Sequence, residues 1–563
     1  MRQFTTEAIR DAFGRDFTAA LIVVVMLVPQ SLAYAQLAGM PLQSGLYASV
    51  LPMIAYALFG SSTALSVGPV AVISLMTATA LASVGVQDSS TYVLLAAWLA
   101  LISGGVLMLA GALRLGFVAN LMSHPVVAGF MTGAAILIVL GQFKTLLGMK
   151  GEGETAVQLG WSLLQHVHTV HRPTAALGLS VLLLLWLLPR LVFRVGRRAR
   201  ASDRALDVAR RMTPVVLIVL SILLMTALDL DQSHGITVVG AIPGGLPDLG
   251  IALPSRAQLE ALVLPALSIG LIGFVESVSV AQSLGMRRGE RIDPNAELRG
   301  LGASNLAAGL SAGFPVAGGL SRSIVNFSAG ARTRMAGVYA ALLMLLVVAF
   351  LTEAFAQLAH TVLAAAIILP ALGLVDIKIL REAWAFSRAD AWAFIGTAAG
   401  VMVLGIEVGI LCGVIFSLAT IQWQASNPHL AEMGRVPGTT HYRNVKRSSV
   451  VTYPHVLAIR VDGDFFFGNV RPVTAQIEQA LAARSGVLHL VLDLSAVNRI
   501  DLTGLEGLRE LNGSLRARRV ILHLAEVKGP VLDRLERSHF LQELARSPFR
   551  FLHEAFVGLN AAH

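Results

Sequence analysis

The chain is 563 residues long, 55% hydrophobic and only 14% charged, with a mean hydropathy of +0.70. That composition excludes an ordinary soluble globular protein, and the single cysteine, Cys412, excludes an intrachain disulfide and a cysteine-based zinc cluster. The formal charge of +9 reads as arginine on the cytoplasmic side of a membrane protein, not as a nucleic-acid footprint, and no nucleic-acid partner is expected.

No Asp, Glu, Lys or Arg occurs from Phe17 through Gln87, a run of 71 residues that allows about three crossings at roughly 20 residues each. The run is too long and too well continued for a cleaved signal peptide. Apolar segments predict fourteen spans. The first seven begin near Phe17, Gln43, Leu65, Tyr92, Pro125, Pro173 and Thr213. The second seven begin near Ala257, Pro294, Phe314, Met335, His360, Asp390 and Leu404. With a cytoplasmic N-terminus, the inside loops carry Arg114, the basic run from Arg190 to Arg211, Arg287 with Arg288, Arg332 with Arg334, and Lys378 with Arg381 and Arg388. The outside loops, around 84–91, 149–172 and 230–256, are poor in arginine, and both termini are expected inside. Glu407 falls between two short spans and is expected in an outer loop.

The stretch from Ala312 to Arg334 places Arg322 between apolar runs, just after Pro315, Gly318 and Gly319. It predicts an extended segment followed by a half-helix starting near Gly319, whose free N–H groups and partial positive charge, with Arg322 one turn in, attract an anion. The competing reading is a glycine-rich bend with Arg322 snorkelling to an interface. The halves also align by position. Gly68-Pro69 lies about 250 residues before Gly318-Gly319, and Gln30 lies 246 before Glu276. Seven spans per half is an odd number, so the second repeat runs inverted and the two half-helices face each other near the midplane.

From about residue 426 strands and helices alternate: Val450 to Thr452, Leu457 to Asp462, Leu488 to Leu494 and Arg519 to Leu524 as strands, with helices from Val473 to Ala483, Thr503 to Arg518 and Pro530 to Arg537. This is a small α/β domain. The domain reading is therefore 1–425 transmembrane, 426–440 linker and 441–563 cytoplasmic.

Gly60-Ser-Ser-Thr-Ala-Leu-Ser-Val-Gly-Pro-Val-Ala-Val, the Pro29-Gln-Ser-Leu-Ala-Tyr-Ala run, Gly45-Leu-Tyr and Gly318-Gly-Leu-Ser-Arg-Ser-Ile-Val-Asn resemble the sulfate permease (SulP) family of anion transporters. Leu492-Asp-Leu-Ser-Ala-Val-Asn-Arg-Ile-Asp-Leu-Thr-Gly-Leu resembles the STAS domain that follows its membrane part. The resemblance implies an α-helical polytopic membrane protein, a seven-plus-seven inverted repeat like uracil permease, a core domain moving against a gate domain, and a homodimer. Thr63 departs from the Lys or Arg of many members. Leu502 departs from the Ser of many STAS motifs, which leaves Thr503 as the candidate phospho-acceptor and the STAS domain as the place for a cytoplasmic regulator.

Each candidate site residue has a competing structural role. Glu276 sits in Phe274-Val-Glu-Ser-Val, where an ionised carboxylate is costly unless paired, as a proton-coupling group requires; a structural partner for Ser or backbone is the alternative. Gln30 and Tyr34 are one turn apart and share a face. Ser321 and Ser323 flank Arg322 and offer hydroxyls, although serines in membrane helices also bond their own backbone. Gly319 and Leu320 form the free end of the half-helix, and the resemblance puts Val70 at the wall of the site. His166, His168 and His171 read as a solvated outer loop, not a metal site. Gly405, Gly409 and Gly413 read as helix packing. The basic run from Arg190 to Arg211 reads as a topology determinant, with anionic lipid headgroups as the alternative partner. No nucleotide loop, nucleophile triad or cofactor motif occurs. The function that results is secondary active uptake of an inorganic anion at a bacterial inner membrane, with sulfate taken from the resemblance and proton symport from Glu276. Sodium-coupled bicarbonate or dicarboxylate transport, anion exchange and a passive channel are the alternatives.

Overall fold

The computed structural model describes residues 6–85, 88–198, 203–242, 245 and 252–560. Parts of the segments 84–91 and 230–256, expected as outer loops, and Arg200 within the basic run, lie outside the described residues. The chain divides into two compact units, Met1–Ser417 and Leu418–His563.

Among the described residues eight helices are long and apolar enough to cross a membrane, the last of them, Ile406–Ser426, running from the first unit into the second, and Ala71–Val84, Met212–Leu228 and Met335–Phe350 are shorter apolar helices. Side chains such as Leu183, Trp186, Leu220 and Leu223 are exposed on these helices, as lipid-facing positions require. The elements that build the site are α1 (Thr6–Leu37), β1 (Val67–Gly68), α2 (Ala71–Val84), α3 (Arg256–Arg288), β2 (Ala317–Gly318), α4 (Leu320–Ser328) and α5 (His360–Leu372).

Two interrupted segments meet at the centre. β1 pairs antiparallel with β2, Val67 opposite Gly318 and Gly68 opposite Ala317. Offsets of 251 and 249 between partners match the expected spacing of the halves. A strand in an apolar interior needs partners for its flanking backbone, and polar side chains supply them. The Asn305 side chain accepts from Val316 N at 2.9 Å and donates to Val316 O at 3.0 Å. Gly319 N donates to Ser66 O at 3.1 Å, and the Asn326 amide donates to Ala64 O at 3.1 Å. The loop leading into β1 is held by the buried Glu297, whose carboxylate accepts from Ser61 N at 2.8 Å, Ser62 N at 3.1 Å and the Tyr56 hydroxyl at 2.8 Å. Glu297 sits on Pro294–Leu310, which lies against Ser89–Ala112 at backbone contact: a Cβ added at Gly104 would stand 2.6 Å from Leu306 N.

The connection after α4 is a short turn. The helix ends at Ser328, and Gly330 turns the chain at φ 95°, so Arg332 and Arg334 lie in the turn before Met335–Phe350, not on the same helix as Arg322. Asp16 receives Arg332 N at 2.6 Å there. Glu407 belongs to the first turn of Ile406–Ser426, not to a loop. Gly409 and Gly413 do make close contacts, with Val401 and Val126, whereas Gly405 has open space and φ 93° and forms the break between helices.

The second unit is a five-stranded sheet in the order β4-β3-β5-β6-β7, with β3 (His429–Arg435), β4 (Tyr442–Asn444), β5 (Val456–Asp462), β6 (His489–Asp493) and β7 (Ile521–Ala525). Alternation sorts its side chains. Leu457, Ile459 and Val461 with Leu490, Leu492, Leu522 and Leu524 face one core, beneath the helices Val470–Ala482, Leu502–Ala517 and Gly529–Arg537. Val456, Ala458, Val491 and Ala525 face the other, with Phe556 of Leu552–Asn560. Residues 429–435, expected as linker, form β3, because Ala431 and Met433 alternate with polar neighbours and are buried. The Val450 segment makes only an isolated bridge, Arg435 to Val451, and is not a strand.

Candidate functional site

α1 carries Pro29, which cannot donate a helix hydrogen bond and so loosens the turn around Gln30. α2 begins after Val70 in extended conformation, and α4 begins after Gly319, also extended. Both half-helices thus present unbonded N–H groups at their starts. α3 is a 33-residue helix opened by a Ser255–Gln258 capping box, and it brings Glu276 alongside.

These elements enclose a cavity of about 350 Å³ lined by Gln30, Tyr34, Val70, Ala71, Val72, Glu276, Gly319, Leu320, Ser321, Arg322, Ile324, Pro370, Gly373 and Leu374. Arg322 is 1% exposed and, among the described residues, the one lysine or arginine in the buried class. Its Nη1 donates to Pro69 O at 2.6 Å, while its Nε and Nη2, and Oε2 of Glu276, have no hydrogen-bond partner. The guanidinium rests between two glycines: a Cβ at Gly319 would come within 2.9 Å of Nη2, and one at Gly68 within 3.3 Å. Buried donors left unmade cost about 1–3 kcal/mol each, so the arrangement is one that a ligand with several acceptor oxygens completes.

Gln30, Tyr34, Val70, Glu276, Gly319, Leu320, Ser321 and Arg322, all expected from the sequence, are brought together here. Ser323 is not. Its hydroxyl donates to Gly319 O at 2.7 Å and accepts from Ser66 N at 3.0 Å, so it ties the half-helix to the approach of β1 and turns away from the cavity. Thr503 stands exposed in the first turn of Leu502–Ala517, capped by Asp501. The sequence reading missed the wall from the end of α5, Pro370, Gly373 and Leu374; its one mark in the sequence is a proline and a glycine closing an apolar run. α1 and α5 are also joined by His360 Nδ1, at the start of α5, and Gln36 Oε1 at 2.9 Å. Among the described residues no cluster of His, Cys, Asp or Glu is arranged to hold a metal, and His166 and His171 bond to Ser162 O and the Thr174 hydroxyl.

Residues 13–397 match the sulfate permease family and residues 447–555 the STAS domain. The chain belongs to the sulfate permease family. A probable sulfate transporter of Mycobacterium tuberculosis is 33% identical over 94% of this chain and 92% of that one. The chloroplastic sulfate transporter 4.1 of Arabidopsis thaliana is 31% identical over 95% and 78%. Among solved structures, the murine Solute Carrier 26 family member A9 anion transporter in the inward-facing state superposes with a TM-score of 0.87 at 20% identity, covering 97% of this chain and 91% of that chain. The transmembrane domain of a cyanobacterial bicarbonate transporter gives 0.61 at 22% identity, over 72% and 97%. The protein is a multi-pass membrane anion transporter of this family with a C-terminal STAS domain, and the family is one of transporters, not enzymes.

Proposed function

We propose that this sulfate permease family member takes up sulfate by proton symport, in the cavity between the two half-helix ends. The observation that carries this reading is that one cavity holds both the unsatisfied Arg322 donors Nε and Nη2 and the unsatisfied Oε2 of Glu276. Arg322 supplies one positive charge and each helix end about half of one. With Glu276 protonated the site holds about two positive charges, the complement of a divalent oxyanion; with Glu276 ionised it holds about one. Each ligand therefore strengthens binding of the other, and such coupling is reciprocal. Gln30 and Ser321 orient the oxygens, Tyr34 and Val70 wall the site, and a shift of α5 against the half-helices exposes it to either side.

Glu276→Gln is expected to keep the protein folded and sulfate bound but to abolish acceleration of uptake by an inward proton gradient, measured with labelled sulfate in proteoliposomes. Undiminished pH-driven uptake removes Glu276 from the mechanism. Competition by bicarbonate and dicarboxylates in the same vesicles tests the choice of anion.

The same reading puts the protein in a bacterial inner membrane with both termini in the cytoplasm, working as a homodimer, with Thr503 at an exposed helix start suited to phosphate. A cysteine replacing Gly153 is expected to react with an impermeant thiol reagent from outside, and one replacing Arg197 is not; the reverse pattern overturns this topology.

A further inference from the structure

One buried hydroxyl beside the site makes contacts to which the proposed function assigns no role. Ser277 is fully buried on α3, next to Glu276. Its Oγ donates to Gly273 O at 2.5 Å, as membrane serines often do. It also accepts from Gly318 N at 2.8 Å, one residue before the start of the Arg322 half-helix at Gly319. Around it α3 lies alongside β2: a Cβ at Gly273 would make ordinary van der Waals contact with Ala317 Cβ, at 3.4 Å.

The first repeat is built differently. The residue after Gln30 is Ser31, and its hydroxyl pairs at 2.7 Å with Ser49, not with β1. The acid-bearing helix is thus hydroxyl-bonded to the crossover strand, and the glutamine-bearing helix is bonded elsewhere. β2 has other holds: its pairing with β1, Asn305 on Val316, and Gly319 N on Ser66 O. None of these reaches α3.

We infer that Ser277 is a positioning residue for coupled transport: its hydroxyl registers Glu276 against the strand that leads into Arg322, and so sets how strongly the proton and the anion feel each other. This rests on the proposed role of Glu276. Removing the hydroxyl leaves the crossover and the anion donors in place, frees Gly318 N, and lets α3 relax, so the proton dependence changes more than sulfate binding does.

The test compares wild type, Ser277→Ala, Ser277→Cys and Glu276→Gln in proteoliposomes, reading sulfate uptake across pH together with KM and kcat, after checking that each variant is monodisperse. Ser277→Ala is expected to move the midpoint of the pH profile by about half a unit or more, equivalent to about a threefold change in coupling, with the sulfate KM at optimal pH less affected. Ser277→Cys, a weaker acceptor, is expected to fall between; if the alanine variant does not fold, the cysteine variant decides alone. A wild-type pH profile in the folded variants, or a uniform loss of uptake at every pH, overturns the inference. If wild-type uptake ignores pH, or Glu276→Gln keeps its full pH response, the Glu276 reading falls and this inference with it. A pH-dependent wild type with a flat Glu276→Gln and an unshifted Ser277→Ala rejects the Ser277 role alone.

Discussion

Arg322→Ala is expected to lower sulfate uptake by about 100-fold or more. Two charge-assisted hydrogen bonds at about 1.5–3 kcal/mol each are at stake, and the remaining helix-end charge of about one unit cannot offset the desolvation of a divalent anion. The variant should still fold, because the crossover is held by β1–β2 pairing and by Ser323, Asn305 and Asn326, and loss of a buried cation with two open donors relieves a cost. Arg322→Lys is expected to retain partial binding, since an ammonium replaces the charge but not the planar fork. Arg332→Ala, altered in the turn beyond the half-helix, should do much less. Sulfate binding to each purified variant, by calorimetry or thermal shift, checks the series. Wild-type affinity in a folded Arg322→Ala would place the site elsewhere.

Gly302→Leu is expected to lower sharply the recovery of folded protein. A Cβ there would stand 2.7 Å from Met108 N and 2.9 Å from Gly104 O, and backbone cannot step aside as a side chain can. Overpacking costs about 1–3 kcal/mol and occasionally more; a backbone clash between two helices belongs at the upper end, against a total stability of about 5–15 kcal/mol. Gly105→Leu is the control. It lies three residues before Met108 but has nothing within 4 Å, so it should purify as wild type by size-exclusion chromatography. Equal yields from the two variants would refute the close packing.

The centre of the site was legible in the sequence because glycine and proline interrupt a helix and arginine is costly in hydrocarbon, and because the same breaks recur one repeat later. Gly68 and Gly318 announce strands that pair with each other, and Gln30 and Glu276 reach one cavity from matched positions. Ser323 was misplaced because flanking in sequence is not flanking in space. At about 100° per residue, Ser321 and Ser323 lie about 200° apart around α4, so when one lines the cavity the other turns into the protein. The wall from Pro370 to Leu374 has only a proline and a glycine to mark it in the sequence, because tertiary packing brings the end of α5 to the cavity. In the C-terminal unit the apolar strands β5, β6 and β7 were plain, whereas β3, with His429, Glu432 and Arg435 among its residues, reads as polar linker until its partner is known. The helix-packing glycines were read at Gly405, Gly409 and Gly413, yet backbone contact as tight is made by Gly104 and Gly302, which no regular spacing advertises.

The bond between Gln36 and His360 is one neutral hydrogen bond, 2.9 Å long, and such a bond contributes about 1 kcal/mol net. As a bias between two arrangements of α1 and α5 that is a factor of about five. Loss of the bond would shift an equilibrium between such arrangements by no more than that factor. On the proposed transport reading, a carrier that must part these helices on every turnover is better served by a weak clasp than by a strong one.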